Sequence, residues 1–98
     1  MELKDFKIGL LEKTELNEEM INQFGDDNLK LLIPLFDKFA KNNKEESGYV
    51  TLALFIGLKL NGYDKEGIIN IFKEATNNKK YVDKDEAEWL LKRIKLGI

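Results

Sequence analysis

The stretches FDKFAKNNKEESGYVTLALFIGL (residues 36–58) and FKEATNNKKYVDKDEAEWLL (residues 72–91) present the same features in the same order. In each, an apolar helical pattern with aromatic residues leads into a polar loop that contains Asn-Asn-Lys. A Tyr-Val pair follows the loop, and a second apolar helical pattern follows the pair. This internal repeat predicts two helix-loop-helix units in tandem.

The two loops differ in length. The first polar run, residues 41–48, predicts a loop that Gly48 closes before the β-prone triplet Tyr-Val-Thr at residues 49–51. The second loop, residues 77–80, leads directly to the triplet Tyr-Val-Asp at residues 81–83. We therefore expect a short extended segment between the helices of each unit.

Apolar periodicity and capping residues predict helices over most of the remaining chain. Thr14, Asn28 and Asp64 are suitable N-caps, and Gly25 and Gly62 are placed to end helices. Pro34 predicts either a kink or a helix start near residue 31. The predicted helices cover residues 2–12, 14–24, 29–40, 51–60, 65–76 and 84–96.

This order of elements resembles the EF-hand superfamily over about residues 29–95. Residues 1–26 lie outside the match and form an N-terminal helical segment. The resemblance implies a single all-α domain, residues 1–98, in which one or two helices precede an EF-hand-like pair of helix-loop-helix units. It also implies a short bridge between the two loops, with Tyr81 and Val82 opposite Tyr49 and Val50, and a groove that accepts an amphipathic helix of a partner protein.

The loops lack most of the ligands that an EF-hand uses for calcium. Such a loop offers oxygen ligands at alternate positions, has Gly at position 6 and ends in a bidentate Glu at position 12. With Val82 at position 8, Lys79 and Lys80 occupy positions 5 and 6, where their charges repel a cation. The first loop has Gly48 at position 6 but Leu54 at position 12. We therefore expect no calcium requirement and no other cofactor, and only three weak metal candidates remain: Asn77, Asp83 and Glu86.

Composition argues against an enzyme and against a membrane span. The chain has 98 residues, of which 43% are hydrophobic and 35% charged, which is enough for one core. It contains no Cys and no His, so disulfides, thiolate metal sites and the usual general base are excluded. Ser47, its single serine, has no His to activate it. No apolar run approaches the roughly 20 residues of a membrane helix, and the acidic start is unlike a signal peptide, so we expect a cytoplasmic, non-enzymatic protein.

Two helices carry apolar residues outside their main apolar stripe. On the helix at residues 51–60, Leu54 and Leu58 project away from the stripe, and on the last helix Trp89 and Leu96 do so. Either the N-terminal helices bury these side chains, or the side chains bind a partner. The sequence thus predicts a regulatory, adaptor or inhibitor protein that binds another protein through four residues: Leu54, Leu58, Trp89 and Leu96.

A helix-turn-helix DNA-binding motif at residues 51–76 is the alternative, with Gly62 at its turn. The outward residues of its second helix are nearly balanced in charge: Lys65, Glu66, Asn70, Lys73 and Glu74. Residues 1–49 carry a net charge of −4, from 7 basic and 11 acidic residues, and residues 50–98 carry +2, from 9 and 7. Because phosphate contacts need a basic stripe, nucleic acid is the less favoured partner.

Overall fold

The computed structural model describes residues 1–77 and 82–95, and these residues form helices joined by short turns, with no strand among them. This confirms the prediction of an all-α chain. The helices are α1 (Leu3–Lys13), α2 (Glu18–Phe24), α3 (Asp26–Lys41), α4 (Glu45–Leu60), α5 (Lys65–Asn77) and α6 (Lys84–Lys95).

The boundary between α1 and α2 differs from the predicted one. The Thr14 hydroxyl donates to the Leu10 carbonyl and accepts from the Leu16 amide at 3.2 Å, so it closes the end of α1. The N-cap of α2 is Asn17, whose side chain accepts from the Met20 amide at 2.8 Å. Thr14 as the N-cap of the second helix was therefore wrong, because its hydroxyl is already engaged by the preceding helix.

Helix α3 begins earlier than predicted. Gly25 has a φ of +94°, a conformation that side-chain-bearing residues rarely adopt, and it both ends α2 and precedes α3. Asn28 lies inside α3 and donates its side-chain amide to the Phe24 carbonyl at 2.7 Å, so it is not the N-cap. Pro34 also lies inside the helix, and a start near residue 31 was wrong. The predicted helices left residues 25–28 between them, but only Gly25 separates α2 from α3.

The first loop is much shorter than predicted. Only Asn42–Lys44 connects α3 to α4, with Asn43 at a φ of +60°. The predicted loop at residues 41–48 and the extended triplet at residues 49–51 were therefore wrong, because α4 begins at Glu45 and runs through both.

Tertiary packing explains why the β-prone triplet is helical. The Tyr49 ring is buried with its centroid 4.3 Å from that of Phe36 and 6.3 Å from that of Phe6. Gly48 faces Phe39, so closely that an added Cβ would lie 2.7 Å from its ring. A helix brings both residues onto α1 and α3, and this burial outweighs the intrinsic β preference of Tyr-Val-Thr.

The predicted β-bridge requires an extended segment in each of the two loops, and the first loop does not provide one. Tyr49 and Val50 belong to α4, and Val82 lies buried just before α6. Tyr81 lies outside the described residues. Tyr49 and Val50 therefore pack as part of a helix, where the resemblance implied a β-bridge.

Helix α4 is the centre of the core and contacts each of the other five helices. Its position explains why its sequence is apolar on nearly every side. The main apolar stripe of α6 is also buried at Ala87, Leu90 and Ile94, while Leu91 is half-buried. The largest fully buried side chains come from α1 to α5 and include Phe6, Phe36, Phe39, Phe55 and Phe72.

Two glycines should respond in opposite ways to the same substitution. A Cβ added at Gly9 would lie 2.2 Å from the Tyr49 ring, whereas one added at Gly57 would meet nothing within 4 Å. We expect Gly9→Ala to lower the free energy of unfolding by about 1–3 kcal/mol or more through overpacking. Gly57→Ala should raise it by up to about 1 kcal/mol, because alanine favours a helix over glycine. Urea unfolding of both variants checks this, and a stabilised Gly9→Ala would contradict the packing of α1 on α4.

Candidate functional site

An apolar groove opens beside α4, between the segment at residues 13–20 and helix α5. It has a volume of about 850 Å³. Leu54 and Leu58, both predicted to bind a partner, are half-buried and line it together. Other apolar residues of its lining are Leu16, Met20, Val50 and Ile71. The N-terminal segment thus forms one wall of the groove and does not close over the two leucines.

Small residues on α4 keep the groove open. Ala53 and Gly57 line it one helical turn apart, and apart from the adjoining backbone of α4 and the two chain neighbours of Gly57, no atom lies within 4 Å of the place where a Cβ of Gly57 would stand. A glycine inside a helix costs about 1 kcal/mol relative to alanine, and here no neighbouring group requires it. Val50, at the edge of the groove, leaves 42% of its surface exposed. The groove therefore exposes both apolar side chains and the backbone of α4.

The N-terminal segment that forms one wall of the groove contains more acidic than basic residues. Residues 12–20 carry one lysine and four exposed glutamates: Glu12, Glu15, Glu18 and Glu19. The lysine, Lys13, has its ammonium group 3.7 Å from a carboxylate oxygen of Glu46 on α4. The segment therefore carries a net negative charge, and its two charged residues that line the groove itself, Lys13 and Glu15, have opposite signs.

Trp89 lies on a different surface, against α3. Its ring is half-buried and stacks on Phe39, with centroids 5.9 Å apart and planes at 22°. The Lys38 ammonium lies 4.6 Å from the centroid of the Trp89 ring, within cation–π range. The fourth predicted residue, Leu96, lies outside the described residues. Two of the four residues predicted to bind a partner therefore share the groove, and Trp89 does not line it.

A polar cluster joins the first turns of α4 and α6. The Lys44 ammonium donates to Asp83 at 2.8 Å and lies 3.9 Å from Asp85. Asp83 also caps α6, since its other carboxylate oxygen accepts from the backbone amides of Asp85 at 2.9 Å and Glu86 at 3.1 Å. Burial alone would raise the pKa of Asp83, but the Lys44 ammonium and the two amides outweigh burial and hold that pKa below its usual value.

Glu86 is the buried member of this cluster. It is fully buried, and its two carboxylate oxygens accept hydrogen bonds from the hydroxyls of Ser47 and Thr51, the latter at 2.8 Å. Burial raises the pKa of Glu86 above its usual value, and the two hydroxyls act in the opposite direction. Of the weak metal candidates, Glu86 thus binds two hydroxyl groups of α4, and Asp83 binds the ammonium group of Lys44 just before α4. Asn77 is exposed at the end of α5.

Within residues 1–77 and 82–95, no cluster of three or more acidic side chains is arranged to hold a metal ion. The spacing Asp-x-x-Glu at residues 83–86 is a helix-start signal and could have identified Asp83 as a cap. Nothing in the local sequence indicates that Glu86 accepts hydrogen bonds from α4, because Thr51 is 35 residues away.

The region of the alternative helix-turn-helix motif is observed as α4, a turn and α5. Gly62 has a φ of +82° in that turn, and Asp64 caps α5 by accepting from the Gly67 amide at 2.8 Å, as predicted. On α5, Ile68, Ile69 and Phe72 are buried. DNA binding by this region stays a prediction.

The chain has no match among protein-family models, curated proteins or solved structures. Functional inference consequently rests on the geometry of the groove and of the charged clusters. None of the described helices combines the length and the apolar character that a membrane span requires.

Replacing the buried carboxylate should change how stability depends on pH. Because the pKa of Glu86 is raised above 4.5 in the folded chain, the folded state keeps its proton over a pH interval in which the unfolded state has lost it. The contribution of Glu86 to the free energy of unfolding therefore decreases as pH rises through that interval. We expect the free energy of unfolding of the wild type, minus that of Glu86→Gln, to fall as pH rises through this interval. Above the interval the difference should be constant.

Urea unfolding of both proteins at several values between about pH 4 and pH 8 measures this difference. Other titrating groups are common to both proteins and largely cancel. In Thr51→Val a hydroxyl that lowers the pKa of Glu86 is lost, so the decrease should extend to higher pH. A difference that does not vary with pH would contradict the buried position of Glu86.

Proposed function

We propose that this chain is a non-enzymatic protein-interaction module, acting as an adaptor, inhibitor or regulatory subunit, and that its groove binds an amphipathic helix of a partner protein. The observation that carries the proposal is the combination of half-buried Leu54 and Leu58 with open space above Gly57. Amphipathic helices bind in such grooves by inserting apolar residues spaced three or four positions apart.

The shape of the groove favours a helix as its occupant. Ala53 and Gly57 stand four residues apart on the side of α4 that lines the groove. Small residues with this spacing let the backbones of two helices approach closely, a device best known from membrane helices. Leu54 and Leu58 run beside them with the same spacing, so a second helix could lie along α4 and contact all four positions.

The charge of the groove wall specifies the occupant further. The four glutamates of residues 12–20 outnumber the single lysine, which has Glu46 as a neighbour. Charge complementarity across an interface increases association rates and excludes partners of like charge. We infer that the partner helix carries Lys or Arg beside its apolar stripe.

The EF-hand-like pairing is part of this proposal at the level of architecture. Helices α3 and α4, and helices α5 and α6, are two consecutive helix-loop-helix units whose members contact each other. The first connection, Asn42–Lys44, has three residues and does not have the length of a 12-residue calcium loop. The support is therefore the order and pairing of the helices.

Filling the groove should abolish binding without unfolding the protein. The probe is an amphipathic peptide of about 14 residues, or roughly four turns, built from leucine and lysine. In Gly57→Leu the new side chain enters open space, so we expect the Kd for this peptide to rise at least about tenfold while the melting temperature is unchanged or higher. Fluorescence anisotropy of the labelled peptide measures the Kd.

Three controls distinguish specific binding in the groove from nonspecific binding of the peptide. Asn70→Leu adds the same side chain at an exposed position of α5 that does not line the groove, and its Kd should equal that of wild type. A scrambled peptide of the same composition, and a peptide with glutamate in place of lysine, should bind at least about tenfold more weakly. Equal binding of the lysine peptide to wild type and Gly57→Leu would overturn the proposal.

Calcium should have little effect on this chain. Asp83 and Glu86 already accept hydrogen bonds from Lys44, Ser47 and Thr51, so a cation would have to displace them. We expect isothermal titration with calcium to give no saturable heat at sub-millimolar concentration, and the Kd for the peptide to be the same with and without calcium. Saturable binding in that range would show that the second loop retains a working site.

A further inference from the structure

A second, smaller depression lies between α3 and α6, with a volume of about 270 Å³. Three cationic side chains from the two helices line it: Lys38, Lys92 and Arg93. Trp89 contributes an aromatic wall, and the Lys38 ammonium is 4.6 Å from the centroid of its ring. The depression shares no lining residue with the apolar groove.

Arg93 has an unsatisfied hydrogen-bond donor at this place. Its Nε atom is buried and has no hydrogen-bond partner among the described residues. The two terminal amino groups of a guanidinium form a fork that matches two oxygens of one anion. Because Nε is buried, an oxyanion in the depression would bind the terminal amino groups of Arg93.

Among the described residues, the cations of the depression have no carboxylate partner. In the described part of the chain, the ion pairs formed by lysines involve Lys7, Lys13 and Lys44, and no carboxylate lies within 4.0 Å of the Lys92 or Arg93 charge. Asp37, the neighbour of Lys38 in sequence, pairs instead with the N-terminal ammonium group at 3.2 Å. Three cationic residues therefore line a small concave surface, and within residues 1–77 and 82–95 no carboxylate pairs with any of them.

We propose that this depression binds a phosphoryl group. A phosphoryl group carries a charge of roughly −1.5 to −2 and three acceptor oxygens, which suits three cations better than a single carboxylate would. The Arg93 fork would bind two oxygens, and Lys38 and Lys92 would neutralise the remaining charge as point charges. The volume is below the roughly 300–1,000 Å³ of sites for drug-sized ligands, so it fits the group and leaves the rest of the ligand outside.

The test uses Trp89, the single tryptophan of the chain, as an internal reporter. Inorganic pyrophosphate is titrated at constant ionic strength, with sodium chloride titrated separately. We expect a saturable change in tryptophan fluorescence with pyrophosphate and none with chloride. In Arg93→Lys, which keeps the charge and removes the fork, the Kd should rise at least about tenfold.

Two further variants control for misfolding and for a general loss of positive charge. Lys92→Gln replaces an exposed residue, so it should fold normally and still bind pyrophosphate more weakly than wild type. Lys59→Gln removes an equal charge from an exposed position of α4 outside the depression, and its Kd should be unchanged. A fluorescence change that does not saturate, or equal Kd values for wild type, Arg93→Lys and Lys92→Gln, would overturn the proposal.

A vesicle experiment distinguishes a lipid headgroup from a soluble phosphate compound as the source of the phosphoryl group. Sedimentation is measured with phosphatidylcholine vesicles, with and without phosphatidic acid. Binding that needs phosphatidic acid and is lost in Arg93→Lys supports the proposal and identifies a lipid headgroup, whereas a response to pyrophosphate alone supports it and identifies a soluble phosphate compound. A response to neither probe overturns the proposal.

Discussion

Helix α4 carries apolar side chains around most of its circumference, and the need to bury them is the constraint on which the rest of the structure depends. Fully burying a leucine, isoleucine or phenylalanine contributes about 1.5–3 kcal/mol, and Leu52, Phe55 and Ile56 are all fully or almost fully buried. One helix cannot be covered by a single neighbour, so all five other helices contact it. Gly9 and Gly48 allow two of these contacts by leaving space for aromatic rings.

The same constraint explains where the groove lies. Among the described residues, the groove on the side of α4 with Leu54, Gly57 and Leu58 is bordered by the N-terminal segment, by α5 and by Val82. Larger residues at Ala53 or Gly57 would fill this space and favour a continuous core. The protein instead keeps a glycine inside its most buried helix, which costs helix stability and leaves backbone accessible.

Polar contacts determine how α6 sits on this core. Glu86 is buried at a cost in solvation, and it is tolerated because two hydroxyls of α4 satisfy both of its oxygens. The Lys44–Asp83 pair at the rim links the same two helix starts. Fixing α6 in this way also lets Arg93 and Lys92 line one depression together with Lys38 of α3.

Much of the local structure follows from the sequence by itself. The all-α class, the approximate extent of α1, α5 and α6, the cap at Asp64 and the helix ends at Gly25 and Gly62 agree with prediction. Each of these depends on residues within about one helical turn, through periodicity or a capping hydrogen bond. Leu54 and Leu58 could be placed outside the main apolar stripe for the same reason.

Only the tertiary structure decided that residues 45–51 are helical, that Glu86 binds α4 and that Lys38, Lys92 and Arg93 line one depression with Trp89. Local propensity favoured a loop and an extended triplet at the first of these places, and packing of Tyr49 between Phe36 and Phe6 reversed that preference. The second joins residues 35 positions apart. The physical reason is that burial and charge neutralisation depend on which helices meet, and one-dimensional periodicity records which side of a helix is apolar but not what covers it.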